Sequence, residues 1–251
     1  MSRFFYDLHI HSCLSPCADD DNTPNNIAGM ASISMLNIVA LTDHNTAKNC
    51  PAFFSAAERL GIIPIAGMEL TTSEDIHAVC LFEFLEDALR FDEYLDGARP
   101  KIKNRPEFFG RQLIMDGEDN VIGEVEHLLS NATYISIDEL SEAVGRFGGI
   151  CYPAHIDRDA NGIISVLGAI PENSDFTVFE LHDGARIDEF SEKYGIPKES
   201  FVISSDAHYL TDIAEEGFAV ELADDPYSSD RVRNLLIDHL LGLLKGGETH
   251  G

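Results

Sequence analysis

The stretch DLHIH puts Asp7, His9 and His11 at alternate positions near the start of the chain. On a β-strand alternate residues share a face, so these three are expected to point one way while Leu8 and Ile10 point into apolar packing. Two imidazoles at this spacing can chelate one divalent metal, and a carboxylate two positions earlier can hold one of them in orientation. The same residue types recur further along. LTDHN carries Asp43 and His44, GMEL carries Glu69, CYPAHIDR carries His155 and SSDAH carries Asp206 and His208. Each follows or closes a short apolar run. An α/β barrel gathers the C-terminal ends of its strands at one mouth, where ligand-type residues from strands one, two, three, five and seven would meet.

The elements that must position them are legible as seven apolar runs, 4–10, 37–42, 62–67, 76–82, 149–154, 176–182 and 201–205. Most are rich in β-branched or aromatic residues and are bounded by Gly, Pro, Asp or Asn, which reads as strands. Helix signals separate them. Thr23-Pro24 places a cap before a proline and predicts a helix to about Met35. Asn49-Cys50-Pro51 opens another that ends near Gly61, and Ser136-x-x-Glu139 is a capping box before a helix ending at Gly148. A last helix, 229–245, carries an apolar side. Alternating strands and helices predict an α/β fold with a parallel sheet or barrel.

The stretch 83–135 breaks the rhythm, is too long for a loop, and is expected to be a mostly helical insertion or cap, with helix-like segments at 86–96 and 120–130. The domain reading is therefore a barrel over 1–82 and 146–251 with 83–145 inserted in it. Within the insertion Arg99, Lys101, Lys103, Arg105 and Arg111 fall inside thirteen positions. They read either as a solvated loop or as a basic lid over an anionic substrate.

Composition narrows the function classes. The 251 residues contain 17 basic and 44 acidic side chains, a net charge of −27, which disfavours a stable complex with a nucleic-acid backbone. No apolar run approaches the roughly 18 residues of a membrane span. The N-terminus lacks the pattern of a secretory signal, so a cytoplasmic protein is expected. Five scattered cysteines without a CxxC pair fit a reducing compartment.

Taken as a set, DLHIH, TDH, a glutamate after strand three, a lone histidine and SDAH resemble the motifs of the PHP (polymerase and histidinol phosphatase) family. The resemblance covers 1–82 and 149–215. It implies a distorted (β/α)7 barrel holding two or three divalent metal ions (zinc, manganese or iron). By motif, His9, His11, Glu69 and Asp206 would hold the first ion, with Glu69 bridging to a second that adds His77 and His155. His44, His208 and one residue of the loop after His11 would hold a third. Asp7 and Asp43 would support ligands rather than bind metal. Glu180 and His182 in FELHDG also end a strand, but the motif does not use them as ligands.

The loop departs from the family pattern. The usual aspartate position, five residues after the second histidine, is Pro16 here. Counting back from Thr23-Pro24 gives Asp19, with Pro16-Cys17-Ala18 inserted, while counting forward six positions gives Cys17. Asp19 is the preferred reading, because a carboxylate suits zinc, manganese or iron alike.

The resemblance implies a phosphoesterase acting on a small phosphate monoester, a nucleotide or a sugar or amino-alcohol phosphate, with a nucleoside bisphosphate favoured. Arg158 and then Arg186 are the candidates for gripping phosphate oxygens, since a guanidinium bonds two oxygens at once. The alternatives are a single-strand nuclease or proofreading domain, and a non-catalytic, metal-stabilised regulatory module.

Overall fold

In the computed structural model, residues 1–171, 174–214, 218–223 and 227–244 are described. The elements run β1 (Ser2–Ile10), α1 (Pro24–Ile33), β2 (Ile38–Leu41), α2 (Cys50–Arg59), β3 (Ile63–Thr71) and β4 (His77–Phe82). They continue with α3 (Leu85–Leu95), α4 (Pro106–Phe109), β5 (Leu113–Met115), β6 (Val121–Glu124), α5 (Ile137–Gly145), β7 (Gly149–Pro153) and α6 (Ile163–Leu167). The chain then passes through β8 (Phe179–Leu181), α7 (Ile187–Tyr194), β9 (Phe201–Ile203), β10 (Ala219–Leu222) and α8 (Ser229–Leu244). Residues 245–251 lie outside the described part, and with them the last position of the helix expected over 229–245.

Six strands form one sheet in the order β10-β1-β2-β3-β4-β7, while β5-β6 and β8-β9 pair separately. The β1, β2 and β3 strands are parallel, with α1 and α2 as crossovers. The β4 strand is antiparallel to both β3 and β7. Only residues 72–76 join β3 to β4, too few for a crossover, so the chain must return as a hairpin. The expected rule of parallel strands therefore fails at β4. Gly67 makes the hairpin possible: a Cβ there would stand 2.6 Å from the carbonyl oxygen of Cys80.

The sheet curls toward the β8-β9 pair and meets it at single points. Ile156 N–H donates to the Glu180 carbonyl at 2.9 Å, and His11 N–H to the Ala207 carbonyl at 2.9 Å. The architecture is thus α/β with a curled sheet of six hydrogen-bonded strands, joined to the β8-β9 side by isolated contacts.

Two apolar layers hold the curl. An inner one combines Leu8, Ile38, Ile63, Ile65, Val79, Leu81 and Tyr152 with Val232, Leu236, Ile237 and Leu240 of α8. An outer one packs Ile10, Val39, Leu41, Met68 and Cys80 against Ile27, Phe53, Phe91 and Leu140 of the surrounding helices. Each fully buried side chain of this size contributes about 1.5–3 kcal/mol. The capping signals appear where the sequence put them. Thr23 accepts from Asn26 N–H, and Ser136 and Glu139 form a reciprocal capping box.

The stretch 83–135 is not mostly helical. It contains α3, the single turn α4 and the β5-β6 hairpin, and the segment 120–130 expected to be helical begins as strand β6. The turn residues Asp116, Asp119 and Asn120 bind one another's backbone, which favours a hairpin over a helix start. No helix among the described residues is long and apolar enough to cross a membrane.

Candidate metal centre

Strand ends bring six histidines, Glu69 and Asp206 to one end of the sheet. Glu69 is the hub. It lies within β3 rather than after it, because β3 runs on to Thr71. Its Oε1 lies 2.7 Å from His77 Nδ1, 3.0 Å from His155 Nε2 and 3.4 Å from His9 Nε2. Its Oε2 lies 3.0 Å from His44 Nδ1 and 3.3 Å from His11 Nε2. The reversal of β4 explains His77: an antiparallel strand brings its first residue, not its last, to the end where its neighbours finish. Burial works to raise the Glu69 carboxyl, but His77, His9 and His44 hold it well below the usual carboxylate range.

Hydrogen bonds fix which nitrogens face the centre. His9 Nδ1 is 2.9 Å from Glu180 Oε1, a carboxylate oxygen that only accepts, so Nδ1 carries a proton and Nε2 is the nitrogen whose lone pair a metal ion would take. The hydroxyl of Ser15 donates to Asp43 Oδ1 at 2.7 Å, so its lone pair accepts from His11 Nδ1 at 2.9 Å. His11 Nε2 is thereby also a lone pair. These two nitrogens stand 3.2 Å apart, each facing Asp206 Oδ1 at 3.3 and 3.1 Å. Acceptors that converge in a buried pocket repel one another unless a cation or protons lie between them.

His9, His11, Glu69 and Asp206 form one such group, with donor atoms all within 4.8 Å of one another. His44, Glu69 and His77 form a second, and His11, His44 and His208 a third. Imidazole nitrogens and carboxylate oxygens suit zinc, manganese and iron(II), so the donor set fits divalent ions. Among the described residues, His155 Nδ1 is buried without a hydrogen-bond partner, and His44 Nδ1 and Glu69 Oε2 face each other at 3.0 Å without hydrogen-bond geometry, which agrees with that fit. Two ligand candidates at strand ends, His155 and Asp206, have left-handed backbones with φ of 29° and 51°. Non-glycine residues keep that conformation only where surrounding structure enforces it, and it turns both side chains into the centre.

Other expected site residues are placed differently. A register shift in β1 between Asp7 and Ile10 breaks the alternation, so Leu8 joins the inner layer and Ile10 the outer. Asp7 accepts from the backbone N–H groups of His9, Ser205 and Ala214, and among the described residues it orients no imidazole. Among the described residues Asp43 reaches His11 only through Ser15, and it also accepts from Ser12 N–H at 2.7 Å.

Asp19 turns Oδ1 to the Asp21 N–H at 2.8 Å and so closes the loop on itself. Cys17 is the loop side chain that meets the histidines. Burial pushes its thiol up, but interaction with His208 and His44 outweighs this and brings its pKa down to about 5. The inserted tripeptide accounts for the exchange, since turn bonds from Ala18 to Ser15 and from Asn22 to Asp19 leave Cys17 over the mouth.

Arg158 stands at the rim. Its guanidinium meets Asp206 Oδ2 at 2.5 Å and His182 Nδ1 at 3.3 Å, with 38% of the side chain exposed. Arg186 is turned away, paired with Glu189 at 3.0 Å, donating to the Asp157 carbonyl and stacked on Phe190. Of the basic stretch, Arg99 points inward to Asp92 and the Asn45 carbonyl, so it is no part of a lid.

Glu180, Ser12 and Ser15 are supporting residues that motif spacing does not assign. Only Glu180 carried a sequence signal, its place at a strand end.

A curled α/β sheet that focuses imidazoles and carboxylates on one buried point defines a metal-binding type of α/β protein. The PHP domain matches residues 7–158, more than half of the chain, and the chain belongs to the PHP domain family. Among curated proteins no sequence matches. The fold is similar to that of several solved structures. Endonuclease Q from Pyrococcus furiosus, described as lesion-specific, is 18% identical with a TM-score of 0.52, over 83% of this chain and 49% of that one. This chain thus spans about half the length of that protein. A putative metal-dependent phosphoesterase from Bifidobacterium adolescentis is 19% identical with a TM-score of 0.53, over 92% and 95% of the two chains. An amidohydrolase from Chromobacterium violaceum, described with bound sulfate and no metal, is 18% identical with a TM-score of 0.51, over 91% and 95%.

Proposed function

We propose that the protein hydrolyses the phosphoester bond of a small phosphate monoester. The observation that carries this is the convergence of His9, His11, Glu69 and Asp206 beside an exposed arginine. When bound, divalent ions supply Lewis-acid activation of water and neutralise charge on a phosphoryl group.

The chain's own residues do the rest. Glu180 and Ser15 keep the Nε2 lone pairs of His9 and His11 aimed at the centre. Asp206 holds the Arg158 guanidinium at the rim, where its free N–H groups can bond phosphate oxygens. The opening, lined by His44, His77, His155, Arg158, Asn161 and His208, encloses about 160 Å³. That is below the roughly 300–1,000 Å³ of pockets that engulf a drug-sized ligand, so a phosphate-sized group enters and the remainder of the substrate stays outside.

A phosphodiester substrate is the second reading. It is favoured by the fold shared with endonuclease Q, seen elsewhere in complex with a duplex bearing an abasic lesion. The test is metal analysis of the purified protein, paired with release of phosphate from a panel of monoesters and cleavage of single-stranded and abasic oligonucleotides. Turnover of monoesters that His9→Ala abolishes, together with loss of bound metal, supports the first reading. Cleavage of oligonucleotides alone replaces it with the second.

A further inference from the structure

The corner at Arg105–Gly110 is used by nothing described so far. Phe108 and Phe109 are 70% and 42% exposed, adjacent in sequence on the single turn α4. Water-exposed aromatic rings in pairs are costly unless they meet a partner. The corner is also rigid. Asn104, nearly buried, donates to the Gly110 carbonyl at 3.0 Å, and its N–H donates to the Glu126 carbonyl at 2.8 Å.

Its position ties it to the metal centre. Gly110, at φ 91°, packs so closely on the loop that a Cβ there would stand 2.2 Å from the carbonyl oxygen of Pro16. Pro16 precedes Cys17, the loop residue that meets His44 and His208. Three residues on, Leu113 N–H donates to the Cys13 carbonyl at 3.0 Å. Phe109 is thus the chain neighbour of a residue packed on the loop whose Cys17 meets His44 and His208, and those two histidines line the phosphate-sized opening.

Charge marks the corner as well. In a chain of net charge −27, Arg105 makes no ion pair among the described residues and lies instead over both rings, at 4.9 Å from the Phe108 centroid and 6.0 Å from that of Phe109. An unpaired guanidinium beside exposed rings suits a flat, electron-rich, anion-bearing partner.

We propose that Arg105, Phe108 and Phe109 form a stacking platform for the base of a mononucleotide whose phosphate occupies the metal centre. This rests on the phosphomonoester reading and names its substrate class. The opening admits the phosphate and leaves the nucleoside at the rim, where the platform supplies a π-face.

The test compares binding to the metal-loaded protein of two non-scissile analogues, the methylene phosphonates of adenosine monophosphate and of ribose 5-phosphate, by equilibrium dialysis. A stacked base should bind the first about tenfold more tightly or better. Phe108→Ala/Phe109→Ala should abolish that preference, and Phe108→Tyr/Phe109→Tyr should restore it. Both positions are exposed, and an unchanged melting transition verifies folding. Equal binding of the two analogues by the unaltered protein, or a preference that survives the double alanine change, overturns the platform. Tighter binding of a short single-stranded oligonucleotide than of the mononucleotide analogue overturns the choice of mononucleotide. Failure of the ribose analogue to bind, with the ring-dependent preference intact, tells against the phosphomonoester reading and leaves the platform standing.

Discussion

Glu180 Oε1 lies 2.9 Å from His9 Nδ1 and also accepts from the His155 backbone N–H at 3.1 Å. One carboxylate oxygen from β8 thus sets the tautomer of a ligand on β1 and the strained turn that carries another after β7. Replacing it with an amide keeps the shape and removes the charge that strengthens His9 as a donor. Glu180→Gln is expected to weaken metal binding about 10–100-fold, a typical loss for a group that supports a ligand. Competition with a chelator measures this; unchanged affinity would mean that His9 needs no such support.

Ser15 serves His11 in the same way, through a hydroxyl that donates to Asp43 and accepts from the ring. Ser15→Ala leaves His11 Nδ1 without an acceptor and Asp43 without one of its donors. Metal affinity should drop about tenfold. Asp43→Asn should produce a similar drop even though Asp43 touches no imidazole in the centre, and calorimetric titration of the two variants with Zn²⁺ checks both.

The sequence made the ligand types and most of the strand ends legible, because period-two patterning and turn residues are local signals. Strand direction is not local. His77 stands at the start of its run, which only an antiparallel strand turns toward the centre, yet the eight positions between the runs 62–67 and 76–82 were already too few for a crossover. The β5-β6 hairpin was hidden because its strands are three and four residues long and β6 is largely exposed, so neither alternation nor an apolar run marks them. The exchange of Asp19 for Cys17 was illegible for another reason. Counting positions cannot say how an insertion folds, and loop hydrogen bonds decide which side chain faces inward. Arg186 was equally suited by type to a phosphate, and only the nearness of Glu189 decides otherwise.

Metal binding should be strongly pH-dependent. Burial alone would lower the His9 pKa, but Glu180, Asp206 and Glu69 outweigh it and raise the pKa well above the ordinary 6.5. In the metal-free protein these carboxylates favour a second proton on the imidazole, and a metal ligand must give that proton up. Affinity for divalent ions should therefore fall as pH is lowered from about 8 to 6, with protons released on binding. Calorimetry in two buffers of unlike ionisation enthalpy counts those protons. A flat affinity across this range would contradict the raised pKa.

The loop carrying His44 is anchored from behind by Asp92, nearly buried on α3. Its Oδ2 meets Lys48 Nζ at 2.7 Å, and its Oδ1 meets Arg99 at 3.1 Å and the Ala47 N–H at 3.2 Å. Burial pushes this carboxyl up, but Arg99 and Lys48 prevail and hold it below its ordinary value. A depressed folded-state pKa contributes stability that is fully present above the unfolded value, about 3.9, and lost as pH falls through the folded one. Asp92→Asn leaves Arg99 with only the exposed Asp96, at 2.8 Å, as a charge partner and should cost about 2 kcal/mol near neutral pH, with Lys48, a third exposed, counting for little. The gap between the two proteins in urea denaturation should hold from neutral pH down to about 4 and close below it. A gap that stays constant into more acidic solution would show that the carboxylate's charge contributes nothing, and that packing and the Ala47 hydrogen bond anchor the loop.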